Sequence, residues 1–306
     1  LTISSNAMAS ADAGPFTGDS VVRINLWSAP RCASTSLMYS FAQRTDTKVS
    51  DEPLYGHYLT NIDPTAFRPY REEVLAAQNC DGDAVVRELM LGPCEKKVLF
   101  MKNMAKFYSK LNEPFLAATK NIILIRHPLQ VLASWSSTLG VENTKIEDVG
   151  LREQLELIEA IEAGGGKAIV VSNEDLVQRP EGTLRAVCRQ VGIEFEARML
   201  KWKRGGIPED GLWARYWYHV THASTGFDAG LRSPASNHPS SLPAEVVAEA
   251  GKGEEEYRAL LGRRLRPEAV LPDPRNAHIL VHVNGKLVPR EEAKVSVFDS
   301  SVQGGD

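Results

Sequence analysis

The stretch Trp27-Ser28-Ala29-Pro30-Arg31-Cys32-Ala33-Ser34-Thr35-Ser36 most restricts what this chain can fold into. Residues 21–27 alternate apolar with polar side chains and are rich in β-branched ones, which predicts a strand. Residues 34–45 carry Leu37, Met38 and Phe41 at helical spacing, which predicts a helix. The turn between them sets a helix N-terminus, with its unpaired N–H groups and partial positive charge, beside three hydroxyls and the Arg31 guanidinium. An anion over Ser34, Thr35 and Ser36 would meet all of these together, so the stretch reads as a phosphate cradle. The loop lacks the Gly-Lys-Ser/Thr ending with which a nucleoside-triphosphatase loop reaches its phosphates and magnesium, so ATP chemistry is disfavoured.

The strand-helix order repeats. Short strands are predicted at residues 47–50, 97–103, 121–126 and 167–172, the last three as continuous apolar runs suited to a sheet buried on both faces. Helices are predicted twice within residues 71–91, after Pro128, over 148–163 and over 243–265, with an aromatic helix over 213–222. The fold class is therefore α/β, three layers around a mostly parallel sheet. A chain of 306 residues with 43% hydrophobic and 24% charged residues can bury one such core plus a small appendage. A net charge of −4 offers no field for nucleic acid or an anionic membrane surface. No stretch approaches the ~20 apolar residues of a membrane span. Cys32, Cys80, Cys94 and Cys188 lack metal-ligand spacing and read as free thiols of a reducing compartment.

In a parallel sheet, side chains at the C-terminal strand ends face the ligand crevice. Asp51, Glu52 and His57 follow the second strand, Lys102 and Asn103 end the third, and Arg126 ends the fourth. Ser134 lies six residues beyond Pro128, about 9 Å along the next helix. Lys203, Arg204 and Gly205 form a basic glycine-bearing turn, and His219 and His222 stand three apart without an evident third metal ligand.

Pro30-Arg31-Cys32-Ala33-Ser34-Thr35 resembles the 5′-phosphosulfate loop of the sulfotransferases, and Arg126-His127-Pro128 with Ser134 eight residues after the arginine resembles their 3′-phosphate signature. Asn173-Glu174-Asp175-Leu176 is similar to their Tyr-Glu-Asp-Leu turn, and Lys203-Arg204-Gly205 to the Arg-Lys-Gly that closes over the nucleotide. The resemblance implies a P-loop-like fold and transfer of a sulfuryl group from 3′-phosphoadenosine 5′-phosphosulfate (PAPS) to a hydroxyl or amine of a small acceptor, with adenosine 3′,5′-bisphosphate as product and no metal. It assigns Arg31, Cys32, Ala33, Ser34, Thr35 and Ser36 to the 5′-phosphate, Arg126 and Ser134 to the 3′-phosphate, and Lys203, Arg204 and Gly205 to the closing loop. Arg31 and Lys102 are left as charge stabilisers. Ala33 stands where the family has glycine, Ser36 where many members have tryptophan, Met104 where cytosolic members have the catalytic histidine, and Asn173 where tyrosine is usual. Glu52 is therefore the expected base. His57 is the alternative, because free imidazole titrates near neutrality whereas a carboxylate needs burial to be raised. A nucleotide-binding module that has lost turnover is the other function these departures leave open.

Residues 278–306 are different in character. Strands are predicted over residues 279–286 and 295–299 around Asn284-Gly285, and the segment is similar to the opening strands of fold-type IV aminotransferases. The catalytic lysine and phosphate cup of those enzymes lie further along, so no pyridoxal phosphate is expected here. The whole resembles the front of the plant branched-chain aminotransferase-like proteins. The expected organisation is an N-terminal segment at 1–20 without periodicity, a sulfotransferase-like domain at 21–265, a proline-bearing linker at 266–277 and the aminotransferase-like segment at 278–306. A cytoplasmic location is expected, and residues 1–16, which lack arginine and contain Asp12, do not read as a plastid transit peptide. Neither the acceptor nor the oligomeric state is legible.

Overall fold

The computed structural model describes residues 16–65, 68–112, 114–141, 144–227, 242–270, 280–283 and 286–289. The chain divides into two compact units, Leu1–Glu268 and Ala269–Asp306.

The first unit is built on five strands: β1 (Val22–Ser28), β2 (Thr47–Asp51), β3 (Val98–Met104), β4 (Lys120–Ile125) and β5 (Ala168–Ser172). They lie in the order β2-β3-β1-β4-β5, and every neighbouring pair is parallel. Parallel neighbours need crossovers, and the helices that supply them cover both faces. Ile24, Leu26, Phe100, Ile122, Ile123, Leu124 and Ile125 are accordingly sealed from solvent. The chain passes from β1 to β2 on one side and from β3 to β4 on the other, so β1 is the switch point at whose C-terminal end a crevice opens. Pairing of Asp51 with Lys102, Ser28 with Met104 and Ile125 with Ser172 brings the strand ends together there.

Helix α1 (Ser34–Ala42) follows β1 directly, and α2 (Arg71–Ala77) and α3 (Gly82–Val85) precede β3. After α3 the chain widens into a π-helical turn, Val86–Met90. The carbonyls of Met90, Leu91 and Gly92 then converge on the buried guanidinium of Arg23, at 3.0, 2.9 and 2.8 Å, and Gly18 O accepts from it at 2.7 Å. Helix α4 (Pro128–Leu139) begins on a proline, whose missing N–H costs nothing at a first turn. Helix α5 (Leu151–Ala163) lies between β4 and β5, and α6 (Asn173–Gln178) and α7 (Pro180–Val191) follow β5.

Two expected helices are each divided. The aromatic segment forms α8 (Ala214–Trp217) and α9 (His219–Ala223), parted at Tyr218, whose hydroxyl is committed to a buried network. The segment expected over 243–265 forms α10 (Ala244–Gly251) and α11 (Glu254–Gly262), parted at Gly253. A Cβ there would meet Ile146 Cδ1 at 2.6 Å, so the break lets the backbone lie against that side chain. In the second unit β6 (Leu280–Val283) and β7 (Lys286–Pro289) pair antiparallel. β6 falls within the strand expected over 279–286, but its partner is β7, which begins at once after residues 284–285 and runs where no strand beyond 286 was expected. The strand expected over 295–299 lies outside the described residues, as does the Asn284-Gly285 turn.

Among the described residues no helix is long and apolar enough to cross a membrane. Among them, too, no group of three His, Cys, Asp or Glu side chains is placed to hold a metal ion. All four cysteines are free thiols.

Candidate functional site

The crevice above the sheet is a cavity of 420 Å³, reached by Ser28, the loop from Pro30 to Thr35, Glu52, Lys102, Arg126 and Ser134. One side is cationic. The loop leaves β1 through Arg31 and Ala33, both in the left-handed region with φ of 59° and 63°. That region penalises any Cβ by roughly 1–2 kcal/mol, which accounts for the glycine usually found where Ala33 stands. The kinked loop is pinned from the start of α6, where Asn173 Nδ2 donates to Cys32 O at 2.9 Å, and from the residue after β4, where Arg126 Nη1 donates to Arg31 O at 2.5 Å. Arg31 Nε in turn donates to Ser134 Oγ at 3.1 Å, and its Nη1 to Trp217 O at 3.4 Å. Arg126 Nε donates to Gln130 Oε1 at 3.1 Å. None of these acceptors is anionic; the Glu174 carboxylate, which accepts from His127 N–H at 3.3 Å, acts on Arg126 only from a distance, so the buried Arg126 and the half-buried Arg31 share one wall with no ion pair of their own among the described residues. Burial, and for Arg31 also the charge of Arg126, lowers both from their ordinary value. Burial pushes the Cys32 thiol the other way, up to about 12, in spite of the nearby Arg126.

The opposite side is a closed ion cluster. Lys102 is fully buried, and its Nζ donates to Asp51 Oδ1 at 2.8 Å, Glu52 Oε1 at 2.5 Å and Tyr218 Oη at 2.6 Å. Tyr218 Oη also accepts from Trp213 Nε1 at 2.9 Å and lies 3.0 and 2.9 Å from the two Asp51 oxygens. Gly211 N donates to Asp51 Oδ2 at 2.9 Å. Glu52 has φ 46°, and its backbone is fixed by Lys102 O, which accepts from its N–H, and by Tyr55 N and Gln78 Nε2, which donate to its carbonyl. Burial raises the Glu52 carboxyl above the usual range against the pull of Lys102, and Asp51 adds to the rise. Burial works against the charge of Lys102, but Asp51 and Glu52 outweigh it and hold the lysine above its ordinary value. Rings close this side. Tyr55 packs edge-on against Trp213 at 4.9 Å and face to face with Phe107 at 5.4 Å, and all three line the cavity.

A family model for the sulfotransferase domain matches residues 22–242. The chain belongs to the sulfotransferase family. Two curated relatives from Arabidopsis thaliana, branched-chain-amino-acid aminotransferase-like proteins 2 and 1, are 41% and 42% identical over 293 residues, 92% of this chain. The chain spans 51% of the length of each, about half. Among solved structures, the sulfotransferase domain from the curacin biosynthetic pathway is similar with a TM-score of 0.45 and 17% identity, over 78% of this chain and 98% of that one.

Within the sulfotransferase domain, Arg31, Cys32, Ala33, Ser34, Thr35, Glu52, Lys102, Arg126 and Ser134 line one cavity, as does Met104 at the end of β3. Five expected residues are elsewhere. Ser36 is fully buried behind the loop, 3.5 Å from Thr221 Oγ1. His57 does not reach the cavity; its Nε2 is 2.9 Å from Ser109 O and its Nδ1 3.1 Å from Asn61 Nδ2. Lys203 and Arg204 are exposed and outside the lining, and Gly205, at φ 104°, donates its N–H to His222 O at 2.8 Å. His222 Nε2 lies 3.0 Å from Asp210 Oδ2, so that histidine is engaged by a hydrogen bond to Asp210. Two contributors went unassigned in the sequence. Tyr218 meets Lys102 across 116 positions, a distance no local pattern spans. Trp135 lines the cavity with its indole N–H buried and unpartnered, and its only sequence signal is its place beside Ser134.

Proposed function

We propose that this domain binds PAPS and transfers its sulfuryl group to a hydroxyl or amine of a small acceptor. The observation that carries the reading is the pair of guanidinium groups without an ion pair, the half-buried Arg31 and the buried Arg126, in the same cavity as the buried Glu52 carboxylate. The donor set suits a nucleotide with two phosphate positions: Arg31, Ser34 and Thr35 would hold the 5′ end, and Arg126 and Ser134 the 3′-phosphate, whose oxygens a planar guanidinium can bond in pairs. The unpartnered Trp135 N–H offers one further donor. PAPS, when bound, supplies an activated sulfuryl group. Glu52 Oε2, the oxygen not bonded to Lys102, takes the acceptor's proton, and burial makes that oxygen more basic than a solvated carboxylate. Arg31 opposes the negative charge that develops at the departing phosphate. Lys102 spends its three N–H groups on Asp51, Glu52 and Tyr218, so its part is to hold Glu52 in place. The same closure favours a second reading, a nucleotide-binding module without turnover.

Calorimetric titration tests the nucleotide site. Adenosine 3′,5′-bisphosphate should bind more tightly than adenosine 5′-phosphate, and Arg126→Ala should weaken the bisphosphate far more than the monophosphate. Equal losses for the two ligands would remove Arg126 from the 3′-phosphate. Tight bisphosphate binding with no turnover across a panel of phenols, alcohols and amines would select the second reading.

A further inference from the structure

We propose that Asp51, which does not touch the cavity, is a positioning residue that determines which carboxylate of the Asp51–Lys102–Glu52 cluster receives the acceptor's proton. The inference rests on the reading of Glu52 as the base and extends it to a residue that reading leaves unused. Two adjacent carboxylates flank one ammonium group, and geometry separates their roles. Both Asp51 oxygens are engaged, Oδ1 by Lys102 Nζ and Oδ2 by Gly211 N, with the single Tyr218 proton donated to one of them, and its side chain is fully enclosed. An oxygen pair saturated by donors is the arrangement of an ionised carboxylate. Glu52 receives Lys102 on Oε1 and reaches the cavity, where its other oxygen can meet the substrate.

The charge count then gives Asp51 its effect. Lys102 can neutralise one carboxylate; with Asp51 holding it in the enclosed position, Glu52 is left with less than a full counter-ion. The groups facing Glu52 are Lys102 from β3, Asp51 from β2, Tyr55 from the turn that follows and Tyr218 between α8 and α9. Without the Asp51 charge, Lys102 would belong wholly to Glu52 and make it a weaker base. Without the Lys102 charge, two carboxylates would face each other and Glu52 would become a stronger one. A merely structural residue would not produce shifts of opposite sign.

The test is a carbon-13 titration of the side-chain carboxyls in the full chain, with Glu52 assigned as the resonance missing from Glu52→Gln. In the unaltered protein the Glu52 midpoint should lie above that of an exposed glutamate. Asp51→Asn should move the Glu52 midpoint to lower pH and Lys102→Met to higher pH. Should Asp51→Asn fail to fold, Asp51→Ser takes its place with the same expected direction. A Glu52 midpoint at or below that of an exposed glutamate, an unmoved Glu52 midpoint in the Asp51 variant, or shifts of the same sign in the Asp51 and Lys102 variants would overturn the role. The acidic limb of kcat/KM should follow the same displacements, with adenosine 3′,5′-bisphosphate affinity unchanged in Asp51→Asn. If no acceptor is sulfated while the titration behaves as stated, the reaction falls and the positioning role stands.

Discussion

The two walls of the cavity solve opposite electrostatic problems. At the loop after β1, the half-buried Arg31 and the buried Arg126 hydrogen-bond only to neutral acceptors, with the Glu174 carboxylate acting on Arg126 from a distance, and burial lowers both. At the other wall, every charge of Lys102, Asp51 and Glu52 has a partner of opposite sign within 2.8 Å. The first wall carries cations without ion pairs and suits an anion; the second sets two carboxylates against one ammonium group and must part with one hydrogen bond or accept one proton to act. Binding and chemistry are thereby separable. On the proposed function, a change at the cluster should be read as rate with affinity kept, and a change at Arg31 as both.

The largest expected effect asks whether the cationic wall activates its own thiol. Burial moves Cys32 from 9.0 to about 12, leaving about 10³-fold less thiolate than an unburied cysteine near neutral pH. Alkylation of Cys32 followed by peptide mass spectrometry at pH 8 should be slower than in the urea-unfolded chain by at least that factor. Rapid modification in the folded protein would mean that Arg31 and Arg126 outweigh burial. Next is the cluster. Glu52→Gln keeps the shape and removes the basic oxygen, so turnover should fall by ~10² or more while product-nucleotide affinity holds; His57→Asn, outside the cavity, should change turnover little. A reversed pattern would move the base to the histidine. At the loop, Arg31→Ala removes a charged donor to Ser134 and to the ligand, and calorimetry should show about tenfold weaker binding of both adenosine nucleotides. The smallest effect belongs to Ala33→Gly. Relief of the left-handed strain is opposed by the greater freedom of the unfolded glycine, so a net gain of about 1 kcal/mol or less is expected in urea unfolding.

How much of this was legible follows the same division. The strands stood out because a sheet covered on both faces writes itself as apolar runs, and β3, β4 and β5 fall within a residue of their expected bounds. The loop after β1 was legible as a cavity wall because its donors are contiguous and its geometry is set by two backbone conformations beside a helix start. The cluster was half legible: Asp51, Glu52 and Lys102 sit at strand ends, and a parallel sheet brings such ends together. Tyr218, Trp213 and Gly211 arrive from more than 100 positions away through contacts that carry no local signal. Lys203 and Arg204 show the reverse failure, a good local pattern whose side chains point to solvent. The divided helices at Tyr218 and Gly253 were missed for a common reason, since tertiary demands on one residue overrode a periodicity that continues through it.

The floor of the sheet imposes a constraint of another kind. Arg23 holds Met90, Leu91 and Gly92 by their carbonyls, and a Cβ on Gly92 would lie 1.9 Å from Glu88 O. A connection between elements is ordinarily where a protein accepts added or deleted residues. Here the spacing of three successive peptide units is gauged against one planar cation, so a change of a single residue in length would misalign them all. Loop grafts, tags and circular permutations of this domain therefore belong elsewhere on its surface, and the segment that looks most expendable on the chain tolerates editing least.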